Sequence, residues 1–396
     1  MGISKWSIFR QRAAGWCKAV GKPAEIPPGV AFLNKSSRER RGRPRQREAL
    51  LDAVRPALRG AGKPEVVPRI LRPLSARTGG FFVGKGEIDM LTTPMDILQN
   101  FPIRKTKKQK SAFRTSVTDY VQSLGYQVKE EKGSMGARNL VIGDPEQAKF
   151  LVTAHYDTPA RMFFPNFITP LNFVAYLAYQ IFAVGGFVFL AWAVGAVTML
   201  LTQDSRFASL VGYLFYWVIL VLLIAGPANK HNANDNTSGV VTVLEILRSL
   251  PEIHRSKVCF VLFDLEEAGL IGSASHRKTH KKATETQIVL NLDCVGDGDY
   301  LMMFPNKKIK ADEGKMAALE RICGQFGEKH LKLHKKGFSV CPSDHKNFPN
   351  GVGIMAFKHS KLLGIYCDKI HTNRDVNLEL KNVNILRAAL TTLICQ

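Results

Sequence analysis

Five short segments of this sequence carry histidines and carboxylates, and each lies where an apolar run ends or in a loop. The segments are His155-Tyr156-Asp157, Asn234-Asp235-Asn236, Glu266-Glu267, Asn291-Leu292-Asp293 and Ile370-His371-Thr372. Imidazole and carboxylate groups are common ligands of zinc and similar divalent ions. Two histidines and three carboxylates suffice for two such ions when one carboxylate bridges them. The residue types therefore predict a two-metal site that activates water.

Each segment by itself also has an ordinary structural explanation. A histidine that follows an apolar strand is more often a buried structural residue, and an acidic pair is usually a solvated turn. Glu266 and Glu267 cannot face the same way in an extended chain, so one of them can bind metal while the other acts on water. The order of all five segments is much more specific than any one of them.

In this order the segments resemble those of the M28 family of zinc peptidases. The family segments HxD, DNxSG and EExGLxGS correspond to 155–157, 235–239 and 266–273, and the later family Asp and His correspond to Asp293 and His371. The resemblance covers about Lys110 to the C-terminus, without the apolar insert described below. It implies that His155, Asp235 and Asp293 hold one zinc ion, and that Asp235, Glu267 and His371 hold the other.

The same resemblance implies an activity, the hydrolysis of peptides from the amino end. Glu266 would be the general base that takes a proton from water and passes it to the leaving amine, and Asp157 would be the partner of His155. Ser343-Asp344-His345 resembles a family segment near the substrate pocket. Two alternatives stay open: a glutaminyl-cyclase-like zinc acyltransferase, and a catalytically inactive, membrane-anchored binding module. The complete ligand set favours the hydrolase, and the presence of Glu266 argues against an inactive module.

One large departure from the family pattern separates His155 from Asp235. The intervening residues contain two apolar runs without formal charge, Leu171 to Leu201 and Phe207 to Gly226. About 20 apolar residues suffice to cross a bilayer, so residues 167–228 are predicted to form a transmembrane hairpin. Both ends of a hairpin lie on the same side of the membrane. The insertion therefore need not separate the two ligands in space.

Charged residues near the hairpin predict its orientation. Cations such as Lys105, Arg161 and Lys230 lie on the side of the large domain, whereas Asp204 balances Arg206 at the tip. The positive-inside rule then predicts a two-pass protein of the cell membrane with its catalytic domain in the cytoplasm. Seven cysteines without CxxC spacing argue against a disulfide framework, which agrees with a reducing compartment.

Alternating short apolar runs and amphipathic stretches predict the elements that position these residues. We expect an α/β fold in which helices flank a mixed, mostly parallel sheet, as in zinc aminopeptidases, with two transmembrane helices inserted. Strands are expected at 126–129, 139–142, 150–154, 258–263, 288–292 and 353–357. Helices are expected at 110–124, 237–250, 270–278, 315–326 and 383–391. Residues 90–166 and 229–396 would then be the two parts of one peptidase domain.

The first 89 residues differ in composition from the rest. They contain 19 Lys and Arg against seven Asp and Glu, and they show no sustained helical or strand period. We expect this segment to be disordered, and a start site assigned too early explains it better than a transit peptide. The formal charge of +22 would suit nucleic acid, but no zinc-finger, helix-turn-helix or RNA-binding signature accompanies it. The expected partners are a peptide substrate and a lipid bilayer, and the sequence is silent on oligomeric state.

Two histidine pairs imitate a zinc site. His276 and His280 are four residues apart on a predicted helix, and so are His330 and His334. Neither pair includes the Glu of an HExxH motif, and lysines surround both. Both pairs are predicted to lie on solvated helix faces.

Overall fold

The structure is a computed structural model, and it describes residues 91–326 and 329–396. The predictions for residues 1–89 lie outside the described residues. The described part contains one large sheet with helices on both of its faces, and two long apolar helices.

Nine strands of the described residues form the sheet: β1 Val128–Lys132, β2 Arg138–Ile142, β3 Phe150–His155, β4 Val258–Phe263, β5 Ile288–Leu292, β6 Tyr300–Pro305, β7 Lys332–Leu333, β8 Gly351–Ser360 and β9 Gly364–Tyr366. Across the sheet the strands lie in the order β1-β2-β4-β3-β5-β8-β6-β7, and β9 pairs with the end of β8. The central strands β4, β3, β5 and β8 are parallel, and β1 and β2 run antiparallel to their neighbours. The strand β6 is antiparallel to β8 and parallel to β7. The predicted α/β fold with a mixed, mostly parallel sheet is confirmed.

Within residues 91–326 and 329–396, ten α-helical segments accompany the strands. They are α1 Ile97–Asn100, α2 Lys107–Ser123, α3 Phe173–Thr202, α4 Ser205–Ala225, α5 Gly239–Ser249, α6 Ile271–Thr279, α7 Lys281–Thr284, α8 Lys307–Lys310, α9 Glu313–Gln325 and α10 Leu380–Cys395. Apolar residues of α2, α5, α9 and α10 form the largest core cluster with one face of the sheet. Alternate strand residues such as Leu151 and Val261 point to the opposite face, where Phe348 packs on them.

The first predicted strand begins too early, and three short strands were not predicted. Tyr126 lies before β1, and its hydroxyl donates to the carbonyl of Leu247 at 2.9 Å, so tertiary contacts hold it outside the sheet. The strand β6 contains two methionines and ends at Pro305, a residue that cannot donate a hydrogen bond to a neighbouring strand. Its pairing with β8 makes it a strand, and that pairing is a long-range feature.

The parallel strands bring distant segments to one edge of the sheet. β3, β4 and β5 lie side by side and in register, so that His155 at the end of β3 is aligned with Phe263 at the end of β4. The loops that leave these strands therefore begin at the same edge. Three of the five chemically suggestive segments lie in or next to these loops.

The helices α3 and α4 form an antiparallel pair that leaves the sheet domain and returns to it. Asn172 caps α3 by accepting the backbone N–H of Ala175 at 3.0 Å, and Asp204 caps α4 by accepting two backbone N–H groups. Only 6% and 11% of their most apolar windows are buried, so neither helix is a core helix of the described structure. Ala160 and Ala228 form a β-bridge where the chain leaves and returns.

Candidate metal centre

His155 is the starting point of the site. It ends β3, and its side chain is almost fully buried at the carboxyl edge of the sheet. Its Nε2 lies 3.3 Å from Oδ1 of Asp235 and 3.6 Å from Oδ1 of Asp293. Three segments that are far apart in the sequence thus direct ligand atoms towards one point.

Asp235 lies between the two histidines of the site. Its Oδ1 faces His155, and its Oδ2 lies 3.1 Å from Nε2 of His371. Nε2 of His371 is also 3.4 Å from Oε2 of Glu267. One carboxylate therefore presents a separate oxygen to each of two groups of ligand atoms, which is the arrangement expected of a bridging ligand.

These side chains fit a pair of divalent cations. Two ligands at zinc distances of about 2.0–2.1 Å in a tetrahedral site are separated by about 3.3 Å, close to the separations observed here. Oε1 of Glu267 and Oδ1 of Asp293 are buried, and neither has a hydrogen-bond partner among the described residues. Buried carboxylate oxygens normally have a hydrogen-bond partner or a cation, so these two atoms support a metal site.

The electrostatics of these side chains also support a metal site. Burial, together with the neighbouring carboxylates, raises the pKa of Glu266 and of Glu267 well above the ordinary value. Burial alone would lower the pKa of His155, but Glu266 and the other carboxylates around it raise it above its usual range. Such a concentration of negative charge in a buried place is what a divalent cation compensates.

Asp157 has further contacts besides the one with His155 that the resemblance implies. Its carboxylate accepts the backbone N–H groups of Glu266 at 3.1 Å and of Glu267 at 3.3 Å. Its Oδ1 lies 3.6 Å from Nδ1 of His155, and its backbone carbonyl is closer, at 3.2 Å. The carboxylate of Asp157 therefore holds the loop that carries the two glutamates, in addition to facing His155.

Two loops near Asp235 are fastened by the side chains of Asp375 and Asn234. The buried carboxylate of Asp375 accepts the backbone N–H groups of Asn234 and Asp235. The side-chain oxygen of Asn234 accepts the N–H groups of Gly296 and Asp297. Asp375 lies four residues after His371, but the sequence offered no signal that it turns towards Asp235 rather than solvent.

Arg104 is a further buried residue that the sequence analysis did not single out. Its side chain is fully buried and donates hydrogen bonds to the carbonyl groups of Phe101 and Tyr156 and to the hydroxyl of Thr237. These contacts tie the chain before α2 to the segments on either side of the site. Arg104 precedes α2 in a polar stretch, where a surface position was the simplest expectation.

A cavity of about 240 Å³ opens onto these ligand atoms. Its polar lining includes His155, Asp235, Glu266, Asp293 and His371, and its apolar lining includes Ile168, Leu270, Met355 and Ile370. The buried Asp344 lies nearby and accepts the hydroxyl of Ser273, and its burial raises its pKa to about 7. A small molecule or a chain end can reach Glu266 and the ligand atoms from this cavity.

The predicted solvated helix face is wrong for His276 and His280, and the predicted helix is wrong for His330 and His334. His276 is buried, and its Nδ1 lies 3.0 Å from Oε1 of Glu131. Nε2 of His280 lies 2.7 Å from Oε2 of the same carboxylate, because α6 packs this face against β1 and β2 instead of exposing it. These are hydrogen-bond distances. His330 and His334 do not lie on a helix, since they flank β7.

The part of the chain that contains most of the site has a family match. Residues 220–392 match Peptidase family M28. This M28 match includes Asp235, Glu266, Glu267, Asp293 and His371, whereas His155 and Asp157 lie before it. No curated protein matches the sequence.

Several solved structures are similar to this chain at low sequence identity. A glutaminyl cyclase from Tannerella forsythia is 13% identical, with a TM-score of 0.48, and the match covers 78% of this chain and 98% of that one. A leucine aminopeptidase precursor from Bacteroides thetaiotaomicron is 14% identical, with a TM-score of 0.46, over 79% and 98% of the two chains. An aminopeptidase from Legionella pneumophila is 14% identical, with a TM-score of 0.46, over 96% and 80%. None of the three assigns an activity to this chain.

Proposed function

We propose that this protein is a membrane-embedded zinc peptidase of the M28 type, and that it removes residues from the amino end of peptides. One observation carries the proposal: the two oxygens of Asp235 face two different histidines, His155 and His371. The family match over residues 220–392 supports the reaction class.

The proposed roles follow from the positions of the side chains. His155, Asp235 and Asp293 would hold one zinc ion, and Asp235, Glu267 and His371 would hold the other. When bound, these ions would polarise the scissile carbonyl and lower the pKa of water to about 7. Glu266 lines the cavity beside the ligand atoms, so it can take a proton from water and return it to the leaving amine.

The orientation of Glu266 depends on its own backbone. Its N–H group donates to Asp157, and its neighbour Glu267 is held by the same carboxylate. Asp157 would therefore keep one glutamate at the water and the other at the metal. Adjacent glutamates can keep these two different roles only if their loop holds one conformation.

We further propose that α3 and α4 cross a lipid bilayer. Both helices are apolar, largely exposed and long enough to span about 30 Å of hydrocarbon. Water would be a poor environment for so much apolar surface, and a bilayer removes that cost. The exposed cations Arg161 and Lys230 at the foot of the pair favour a cytoplasmic location for the sheet domain.

Metal analysis and kinetics on the detergent-purified full chain test the enzymatic part. We expect about two zinc ions per chain and hydrolysis of aminoacyl-anilides. Glu266→Gln should keep the zinc and lower kcat by about 10²–10⁴-fold, because only the proton acceptor is removed. Glu252→Gln is the matched control, since Glu252 is exposed beyond the opposite end of β4.

The alternatives give different results in the same assays. Cyclisation of glutaminyl peptides without anilide hydrolysis would identify a glutaminyl-cyclase-like acyltransferase. Absence of both activities and of bound zinc would identify a binding module. Equal activity in Glu266→Gln and the wild type would disprove the assigned base.

A further inference from the structure

One wall of the metal-site cavity belongs to the segment that leads into the first apolar helix. Asn166 and Ile168 line the cavity, and α3 begins five residues after Ile168. The backbone of this segment is fixed to the segment of His371: the N–H of Met162 donates to the His371 carbonyl at 2.8 Å, and Ile168 and Cys367 exchange hydrogen bonds. Hydrogen bonds therefore hold the cavity wall to the segment that carries the proposed ligand His371.

The outer side of this wall packs on α3. The ring of Phe167 lies 5.2 Å from the ring of Tyr179, whose hydroxyl donates to the carbonyl of Pro165. Further along the helix, the ring of Phe164 lies 5.4 Å from the ring of Phe187. The segment that lines the cavity thus runs beside the first four turns of α3.

Helix lengths indicate where the hydrocarbon begins. The 21 residues of α4 span about 32 Å, close to the thickness of a bilayer core, and the 30 residues of α3 span about 45 Å. The first ten or so residues of α3 therefore extend beyond the hydrocarbon core of the bilayer. The boundary of that core lies near residue 183 of α3 and near the end of α4 at Ala225. Arg161 donates its backbone N–H to Pro227, which places residues 161–163 at the level of that boundary.

The side chains at this level suit a membrane surface. Phe163 is 98% exposed, and no described residue covers its ring. Lys105 donates to the carbonyl of Ile224 near the end of α4, and Arg161 and Lys230 are exposed nearby. An exposed apolar ring beside cations is typical of a segment that lies at the surface of a bilayer, with the ring in the lipid and the cations at the headgroups.

From this arrangement we propose that the substrates of the metal site are peptides anchored in the membrane, whose cleavable end lies at the bilayer surface, and that Phe163 holds the cavity wall there. The proposal rests on the proposed function, because it requires both hydrolysis and a bilayer around α3 and α4. It adds a substrate class: chain ends close to a lipid anchor, rather than freely diffusing peptides.

The test uses the full chain in phosphatidylcholine nanodiscs, which leave both membrane faces accessible. The substrates share one amino-terminal sequence and carry a palmitoyl group after a spacer of about 4, 12 or 24 residues, with extended reaches of about 14, 40 and 80 Å. The palmitoyl group concentrates all three peptides in the nanodisc to the same extent. Differences between their cleavage rates therefore depend on the spacer length and report the height of the cavity above the bilayer. We expect the shortest peptide to be cleaved at least as fast as the longest.

Variants identify the contact with lipid. Phe163→Ser should lower kcat/KM for the shortest peptide about tenfold, the equivalent of losing much of one buried aromatic side chain, and leave anilide hydrolysis unchanged. Ile253→Ser is the matched control, because Ile253 is 81% exposed in the turn before β4, at the edge of the sheet away from the site.

The outcomes separate this inference from the proposed function. Zinc binding and anilide hydrolysis, combined with rates that rise about tenfold from the shortest to the longest spacer, would overturn the inference alone. An equal response of Phe163→Ser and Ile253→Ser would overturn the role of Phe163. Absence of zinc and of anilide hydrolysis would overturn the proposed function and, with it, this substrate class.

Discussion

Asp375 accepts the backbone N–H of Asp235 at 2.9 Å and thereby joins the loop of His371 to the loop of the candidate bridging ligand. A second N–H, that of Asn234, reaches the other carboxylate oxygen at 2.8 Å. Burial and the nearby Asp235 raise the pKa of Asp375 to about 8 in the absence of a cation. The two hydrogen bonds to Asp375 should therefore be strongest when a positive charge at the site keeps the carboxylates of Asp235 and Asp375 ionised.

Replacement of Asp375 should weaken metal binding without touching a ligand. An asparagine offers one acceptor oxygen where the carboxylate offers two, so Asp375→Asn loses one of the two backbone hydrogen bonds. We expect a 10–100-fold loss of zinc affinity, the usual effect of removing a partner that orients a ligand. Competition with a chromophoric chelator measures it. Asp119→Asn on the exposed side of α2 is the control, and equal affinities in the two variants would contradict the prediction.

The shared and unshared ligands should respond differently to substitution. Asp235→Ala removes the carboxylate that faces both histidines, so we expect almost no zinc to remain bound. Asp293→Ala removes a carboxylate that faces His155 alone, and about one ion per chain should remain. Metal analysis by mass spectrometry on folded protein measures both. Two ions retained in Asp235→Ala would show that this residue is not a bridging ligand.

The contact between α3 and α4 depends on a glycine pair. A Cβ atom on Gly212 would lie 2.9 Å from the carbonyl oxygen of Ala191, and 3.5 Å from the Cα of Gly195. Gly212→Val should therefore separate the helices and destabilise the protein in detergent by about 1–3 kcal/mol. Thermal unfolding of the full chain measures this. Gly186→Val is the control, since nothing lies within 4 Å of its added Cβ, and equal losses would refute close helix packing at Gly212.

The cluster of Glu131, His276 and His280 predicts an acid-sensitive contribution to stability. Burial alone would raise the pKa of Glu131, but hydrogen bonds from His276, Asn139 and His280 lower it to about 2. The unfolded value is near 4.3, so the ionised carboxylate stabilises the fold above that pH, and its contribution is lost as the pH falls towards 2.

Glu131→Gln isolates this contribution. At pH 7 the variant should be less stable by about 1.5–3 kcal/mol, the usual value for hydrogen bonds to a charged group. Below pH 4 the difference from the wild type should shrink, because the unfolded wild-type chain then binds a proton at Glu131 that the folded protein does not yet bind. Urea unfolding midpoints between pH 7 and pH 3 measure it, with Glu252→Gln as control. A difference that stays constant with pH would show that the charge of Glu131 is not responsible.

The sequence determined the fold class because local patterns carry it. The apolar runs at β3, β4 and β5 and the periodic stretches at α2, α5, α6, α9 and α10 are visible in the amino-acid order, and the structure confirms them within a few residues. The two long apolar helices were equally clear, since length and composition alone define them. The division into residues 90–166, 167–228 and 229–396 stays a prediction, as does disorder in 1–89.

The tertiary structure decided what the sequence pattern left open. The lysines around His276 suggested a solvated face, but a helix with exposed lysines can still bury one side, and only the packing of α6 on the sheet decides which residues are buried. Asp375 and Arg104 act through backbone groups, so residue type gave no sign of their contacts. The sequence was sufficient to predict which functional groups, imidazoles and carboxylates, are available at the site. Their separations, and the packing of the cavity wall on α3, depend on long-range contacts that only the folded chain makes.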